Sequence, residues 1–146
     1  MKLEAASWIC PKEDMGSVCP VFWKEFSCPK PVIKAEMWLT ALGVYEARLN
    51  GQRVGDYVLA PGWTAYEKRL QYQQYDITKL LQENNSITVT VGRGWMRSRI
   101  GSGDIEGRMR QPCGILGAIH ILYYDGSEYS AHGQLLGLRG KRNQIQ

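Results

Sequence analysis

Short stretches in which apolar and polar residues alternate recur along the chain. Residues 32–40, 44–49 and 86–91 place an apolar side chain at nearly every second position. Successive side chains of a strand point to opposite faces, so this alternation predicts strands with one face against a core. The predicted buried faces carry Ile33, Ala35, Met37 and Leu39, then Tyr45, Ala47 and Leu49, then Ile87, Val89 and Val91. The other face of the first strand carries Lys34, Glu36, Trp38 and Thr40.

Turn signals separate these stretches. Asn50 and Gly51 directly follow the second stretch, and both residue types tolerate a positive φ. They predict a hairpin whose second strand extends through Val58. An Asp-Gly pair at residues 125–126 is a second hairpin signal, and it ends a longer predicted strand at residues 115–124.

Helical signals are sparse. Only residues 76–82 indicate a helical turn, with Asp76 or Thr78 as its cap. Short strands joined by turns, without alternating helices, predict an all-β fold, specifically an antiparallel β-sandwich of the jelly-roll type.

Three stretches have no regular pattern: residues 60–69, residues 92–112 and everything after Ser130. Long loops in a compact domain are commonly functional. The first two stretches are therefore where we expect a binding site.

Composition and charge fit one soluble globular domain. The chain has 146 residues, of which 44% are hydrophobic and 22% charged, and its 16 Gly, 8 Tyr and 5 Trp favour β-structure with tight turns. The net charge of +4 comes partly from a basic tail at residues 139–142. Without a recognition-helix pattern or an aromatic-rich RNA motif, no nucleic-acid partner is expected.

The sequence shows no apolar leader and no apolar run of roughly 18 residues, so we expect a cytoplasmic protein that does not contact the membrane. Its cysteines should then be reduced thiols. They lack the C-x2-C spacing of zinc sites, and His120 and His132 bear no regular relation to them, so no metal site is expected. The cysteines are Cys10, Cys19, Cys28 and Cys113.

A long and highly specific motif occupies residues 40–76. It reads TALGVYEARLNGQRVGDYVLAPGWTAYEKRLQYQQYD, and GRGWMRSRIG follows at residues 92–101. Both resemble the N-terminal domain of bacterial α-L-rhamnosidases. Residues 8–26, WICPKEDMGSVCPVFWKEF, are similar to the start of short cytoplasmic members of that family. The resemblance covers about residues 7–130.

This resemblance implies a jelly-roll module that precedes an (α/α)6-barrel catalytic domain of glycoside hydrolase family 78. The catalytic barrel of the parent enzyme and a rhamnose-containing glycan are then the expected partners, because the module is thought to help recognise substrate. Related modules in some members bind L-rhamnose with calcium. Here acidic residues are sparse and only Asp104 and Glu106 sit together in a loop, so the sequence does not support calcium and no cofactor is expected.

A deoxyhexose offers an apolar face and a ring of hydroxyls, so its site needs an aromatic platform and side chains that donate and accept hydrogen bonds. The platform candidates are Trp63, Tyr66 and Trp95. The hydrogen-bonding candidates are Asn50, Asp56, Arg69, Gln71, Gln73, Arg97 and Arg99.

Each candidate also has a structural interpretation. The two tryptophans follow glycines in motifs that could simply cap the sandwich, and turn chemistry alone explains Asn50. Gln71, Gln73 and Tyr75 share one strand face, which is either solvated or in contact with a following domain. An exposed aromatic beside polar side chains favours carbohydrate binding, whereas burial of all three aromatics favours a purely structural domain that packs against the barrel and shapes its active site.

No enzymatic activity is expected of this chain. A glycosidase needs an acid and a base carboxylate that flank the scissile bond. Asp104 with Glu106, or Glu13 with Asp14, resemble ordinary surface charge, and the family resemblance implies that the catalytic acids lie in the barrel.

The resemblance stops near Ser130, so we predict a sandwich domain at residues 1–130 and a divergent tail at residues 131–146. Where the family continues with a Thr-Asp-x-x-Trp motif, this chain reads AHGQLLGLRGKRNQIQ. Reading those codons one nucleotide later permits Thr-Asp-Ser-Ser-Trp-Ala, which suggests a frameshift and a truncated product. The alternative is a genuine divergent tail, since termini vary freely.

Overall fold

A computed structural model describes residues 2–13, 18–66, 68–96, 113–132 and 137–139. Two short 3-10 helices lie at Lys2–Ala5 and Thr78–Leu80. No helix in the described ranges is long and apolar enough to cross a membrane. The strands are β1 (Val21–Ser27), β2 (Val32–Leu42), β3 (Val44–Leu49), β4 (Gln52–Arg53), β5 (Gln73–Asp76), β6 (Asn84–Gly92), β7 (Gly114–Tyr123), β8 (Glu128–His132) and β9 (Gly137–Arg139).

The strands form two sheets that face each other. The first has the order β4-β3-β6-β1-β9, and the second has the order β5-β2-β7-β8. All described pairings are antiparallel. Apolar side chains of both sheets meet in one buried core, so the predicted all-β antiparallel sandwich is confirmed.

The predicted inward positions are buried, with one exception. The inward residues predicted in β3 and β6 are buried, as are Ala35, Met37 and Leu39 in β2. Ile33 is instead 45% exposed, because the pairing of β2 with β7 shifts register between Val32 and Lys34. A shift of one residue moves a side chain to the other face, so the prediction for Ile33 was wrong.

The outer face of the second sheet is partly covered. Trp38 is buried against Leu3 and Ala118, apart from the main core. The N-terminal 3-10 helix supplies Leu3, so it packs on the face of β2 that carries Trp38.

Both predicted hairpins are present. Asn50 and Gly51 connect β3 to β4 with φ values of 53° and 80°. Gly126, with φ of 82°, lies in the turn between β7 and β8. The strand after Gly51 ends at Arg53, however, so its predicted extension through Val58 was wrong. The helical turn is also present, but its N-cap residue is Ile77, so the predicted cap at Asp76 or Thr78 was wrong. The carboxylate of Asp76 accepts a 2.9 Å hydrogen bond from the Thr78 amide.

The alternation analysis did not predict β1. Its inward positions are Phe22, Lys24 and Phe26, so a lysine interrupts the apolar series. Lys24 lies opposite Ile87 and lines a cavity of about 30 Å³ between the sheets. Burial lowers the pKa of this lysine. The tail contributes β9, which pairs with β1.

We predict that Lys24→Met stabilises the fold. The substitution replaces an ammonium group at a core-facing position with an apolar chain of similar length and should raise the free energy of unfolding by about 1 kcal/mol at pH 7. Because burial lowers the pKa of Lys24 below its usual value of 10.5, the unfolded chain binds the proton more tightly than the folded one. The wild-type protein therefore gains stability as pH rises between the folded and unfolded pKa values.

Urea unfolding at a series of pH values tests this, with the exposed Lys79→Met as the matched control. The advantage of Lys24→Met should shrink as the pH approaches 10.5, while Lys79→Met stays within about 0.5 kcal/mol of wild type throughout. Destabilisation by Lys24→Met would show that the ammonium group has a stabilising partner.

Candidate functional site

The connection between β4 and β5 crosses from one sheet to the other. Strand β4 lies at an edge of the first sheet and β5 at an edge of the second, so residues 54–72 span the gap between the layers. The Tyr45 amide donates to the Ala60 carbonyl at 2.8 Å, and the Gly62 amide donates to the Leu59 carbonyl at 3.1 Å. The Ala60–Pro61 peptide bond is cis. The loop is thus pinned to β3 just before Trp63.

A buried polar network lies beneath this loop. The Tyr45 hydroxyl donates to Gln73 Oε1 at 2.7 Å and lies 2.8 Å from the Tyr75 hydroxyl. Gln73 Nε2 donates to the Pro61 carbonyl at 3.2 Å. Burial raises the pKa of both tyrosines, so both stay protonated at neutral pH. Gln73, a sugar-binding candidate from the sequence, is only 7% exposed and supports the loop from inside.

Two of the aromatic candidates meet on the surface. The rings of Trp63 and Trp95 are 6.1 Å apart between centroids and nearly parallel, at 6°. Trp63 is 57% exposed, and Trp95 is half-buried. Trp95 reaches this position because Gly94, with φ of 52°, turns the chain tightly against Val44 after β6. We call these two residues the tryptophan pair.

The loop that carries Trp63 also carries polar side chains. Gln71 and Arg69 are both exposed. Gln71 Oε1 lies over Gly62, since a Cβ on that glycine would be 3.0 Å from it. Tyr66, half-buried, donates to the Gly62 carbonyl at 3.3 Å, so it braces the loop rather than offering its hydroxyl outward. The structure therefore brings Arg69, Gln71 and Tyr66 into the loop that carries Trp63.

The remaining candidates lie elsewhere. Asn50 follows β3, whereas Trp95 follows β6, and these strands are antiparallel, so the two residues lie at opposite ends of the first sheet. Asp56 is exposed and lies near the start of the crossing segment, ahead of Trp63. Arg97 and Arg99 lie outside the described residues.

The sequence analysis missed one exposed apolar segment, Tyr57, Val58 and Leu59, which we call the apolar segment. Val58 is 74% exposed, and Leu59 has φ of 57°, an uncommon conformation for a bulky residue. Arg53 Nη2 donates to the Tyr57 carbonyl at 2.6 Å, and the Tyr57 ring meets Tyr75 edge-on. Three consecutive apolar residues were the available signal, because such runs are rarely left exposed without a function.

Comparison with known proteins identifies relatives of most of the chain. Residues 30–132, which include β2 to β8, match the family model of the alpha-L-rhamnosidase N-terminal domain. An alpha-L-rhamnosidase of Streptomyces avermitilis is 42% identical over 105 residues. That match covers 70% of this chain and 10% of the relative.

Solved structures of alpha-L-rhamnosidases also resemble this chain. The alpha-L-rhamnosidase of Aspergillus terreus superposes with a TM-score of 0.76 at 37% identity, covering 90% of this chain and 16% of that one. The Streptomyces avermitilis enzyme, solved in complex with L-rhamnose, superposes with a TM-score of 0.76 at 36% identity, covering 84% of this chain and 12% of that one. The chain therefore spans less than a fifth of the length of these relatives.

We predict that Gly55→Ala destabilises the loop that carries the site. Gly55 has φ of 70°, and a Cβ there would lie 2.3 Å from the Tyr75 ring. The loss should be about 2–3 kcal/mol, from backbone strain and displacement of Tyr75. Gly51→Ala is the matched control, because Gly51 has φ of 80° but open space around it, and only about 1 kcal/mol should be lost. Urea unfolding measures both; equal losses would mean that the contact with Tyr75 does not matter.

Proposed function

Because the chain belongs to the alpha-L-rhamnosidase N-terminal domain family, we propose that it is a non-catalytic accessory module that binds L-rhamnose or a rhamnosyl glycan at the tryptophan pair. One observation carries the proposal: Trp63 is 57% exposed although it stacks on Trp95. Large aromatic side chains are usually mostly buried, so an exposed and braced indole is typical of a ligand platform.

The chemistry of the surroundings suits a deoxyhexose. The open face of Trp63 can pack against the apolar side of the sugar ring and its methyl group. Arg69 donates hydrogen bonds, and the Gln71 amide both donates and accepts them. Both are exposed and belong to the same loop as Trp63, and Gln71 Oε1 lies next to Gly62, so we propose them as the partners of the sugar hydroxyls.

The loop is held in place before any ligand arrives. Its backbone bonds to β3 at Ala60, and its Pro61 carbonyl bonds to buried Gln73. A prearranged loop loses little conformational freedom on binding, which favours affinity for a small ligand.

L-rhamnose is the sugar we propose because the relatives point to it. The Streptomyces avermitilis protein, 36% identical over the matched part, was solved with this sugar. We propose that binding here needs no calcium. Within the described ranges, no group of three or more His, Cys, Asp or Glu side chains is placed to hold a metal ion, and Asp104 with Glu106 lies outside those ranges.

We propose that hydrolysis is left to the catalytic barrel of the parent enzyme. A catalytic general acid needs a carboxyl whose pKa is raised. Here a salt bridge with Lys34 lowers the pKa of Glu36, hydrogen bonds from Thr78 lower that of Asp76, and Lys30 lowers that of Asp125. These shifts favour ionised surface carboxylates, which cannot protonate a leaving group.

The apolar segment favours a second function, in which the domain packs against the catalytic barrel and shapes its active site. Tyr57, Val58 and Leu59 are all more than half exposed. Contiguous exposed apolar surface is costly in water and commonly marks a protein interface. An interface at the apolar segment is compatible with sugar binding. The backbone hydrogen bonds of Ala60 and Gly62 lie between that segment and Trp63 along the chain.

We predict that L-rhamnose shifts the indole N–H signals of Trp63 and Trp95 saturably in ¹⁵N-labelled protein, and that Trp63→Ala abolishes the response. The platform is lost with the indole, whereas exposed Tyr124, in the turn between β7 and β8, provides a matched aromatic control. Tyr124→Ala should bind as the wild type does.

Repeating the titration with calcium and with EDTA should give the same dissociation constant. A folded protein whose indole signals do not move at millimolar L-rhamnose would disprove binding at the tryptophan pair. Binding that disappears with EDTA would disprove calcium independence.

We predict that Val58→Asp weakens association with the remainder of the Streptomyces avermitilis polypeptide, produced as a separate chain, by at least about tenfold, because a carboxylate must then be buried without a partner. Val18→Asp is the matched control, since Val18 is also exposed but lies outside the apolar segment. Sedimentation velocity measures both. Equal affinities for the two variants would exclude the apolar segment as the interface, and Val58→Asp should leave L-rhamnose binding unchanged.

A further inference from the structure

We propose a second saccharide site, in a groove at the end of the first sheet opposite the tryptophan pair. The groove has a volume of about 480 Å³. Its polar lining is Glu25, Ser27, Asn50, Asn84, Asn85 and Ser86, and Phe26 also lines it. We call it the asparagine groove. The choice of a sugar as ligand rests on the proposed function, but the site is separate.

Four outward side chains form the open part of the groove. Glu25 of β1 is directly opposite Ser86 of β6, and Ser27 is directly opposite Asn84. Opposite pairs have Cβ atoms about 5 Å apart, and successive pairs along the strands are about 6.6 Å apart. The four polar groups therefore frame a patch that one sugar ring can cover.

The floor of the groove is rigid because its amides bond to one another. Asn85, only 3% exposed, accepts from the Gln82 amide at 2.7 Å and from Asn50 Nδ2 at 2.9 Å. Its own Nδ2 donates to the Gln82 carbonyl at 2.7 Å. Asn50 also accepts from the Ser86 amide at 2.9 Å, which fixes the strand that carries two of the outer groups. Such a floor holds the outer side chains ready for a ligand.

The outer groups retain hydrogen-bonding capacity. Within the described residues, the Glu25 carboxylate and the Ser86 hydroxyl have no side-chain partner, and Asn84 has only a long 3.4 Å contact from the Ser27 hydroxyl. A carboxylate, an amide and two hydroxyls together both donate and accept hydrogen bonds. No cationic side chain lines the described groove, which disfavours anions, and one carboxylate is too few for calcium. The chemistry best matches neighbouring hydroxyls of a neutral sugar.

One monosaccharide cannot contact both sites. The groove lies at the start of β6, and Trp95 follows its end at Gly92. A strand of this length spans roughly 26 Å, at about 3.3 Å per residue. The two sites should therefore respond independently to a monosaccharide.

Titration of the ¹⁵N-labelled 146-residue chain with L-rhamnose, followed through backbone amide signals, tests the groove. We expect two groups of shifted signals, one at residues 25–27 and 84–86 and one at residues 62–63 and 94–95. Asn84→Ala should weaken binding in the first group by about 2- to 10-fold, the usual effect of losing one or two hydrogen bonds, and leave the second group unchanged. Thr90→Ala, an exposed outward position on the same strand, is the control and should alter neither group.

The outcomes separate the two proposals. Shifts confined to the tryptophan pair would overturn the groove and leave the proposed function intact. Shifts confined to the groove would support it and overturn binding at Trp63, and no shifts would overturn both. If Asn84→Ala leaves the affinity measured from the first group of signals unchanged, the groove is also overturned as a binding site.

Discussion

The Tyr45 hydroxyl joins the two sheets through the polar network on which the crossing loop depends. Tyr45 belongs to β3, whereas Gln73 and Tyr75 belong to β5 in the other sheet, and the polar ends of all three side chains meet in the interior. Buried polar atoms cost free energy unless they are paired, so this network strongly favours one arrangement of the sheet edges. Gln73 Nε2 also donates to the Pro61 carbonyl, so the network fixes the position of the loop as well.

The position of the surface features follows from that constraint. The crossing loop leaves β4, passes over Tyr75 and bonds to β3 at Ala60. Val58 therefore precedes this bond in the chain, and Trp63 follows it. We propose that a module arranged in this way contributes recognition: with a sugar-contacting surface near each end of β6, it would hold an extended glycan more firmly than either surface alone.

Much of the fold could be predicted from local pattern. Alternation identified β2, β3 and β6, because a strand that is buried on one face must repeat every two residues. Strand β7 was predicted as a longer strand that ends at the Asp125-Gly126 turn signal. Asn50 and Gly51 marked a hairpin, since the turn needs positive φ at both positions. The pattern failed at β1, where Lys24 occupies a core-facing position, and at Ile33, where a change in strand pairing overrides the local period.

The sequence by itself thus determined the fold class, most strands, the main turns and the family, because these depend on neighbouring residues and on a long specific motif. It also selected the loop that carries Trp63. Only the tertiary structure decided that Trp63 stacks on Trp95, that Gln73 is an internal support and that Asn50 helps form a groove at the other end of the sheet. These facts depend on which distant segments meet across the sandwich. Periodicity cannot predict them, because it shows which side chains share a face of a strand but not which segment covers that face.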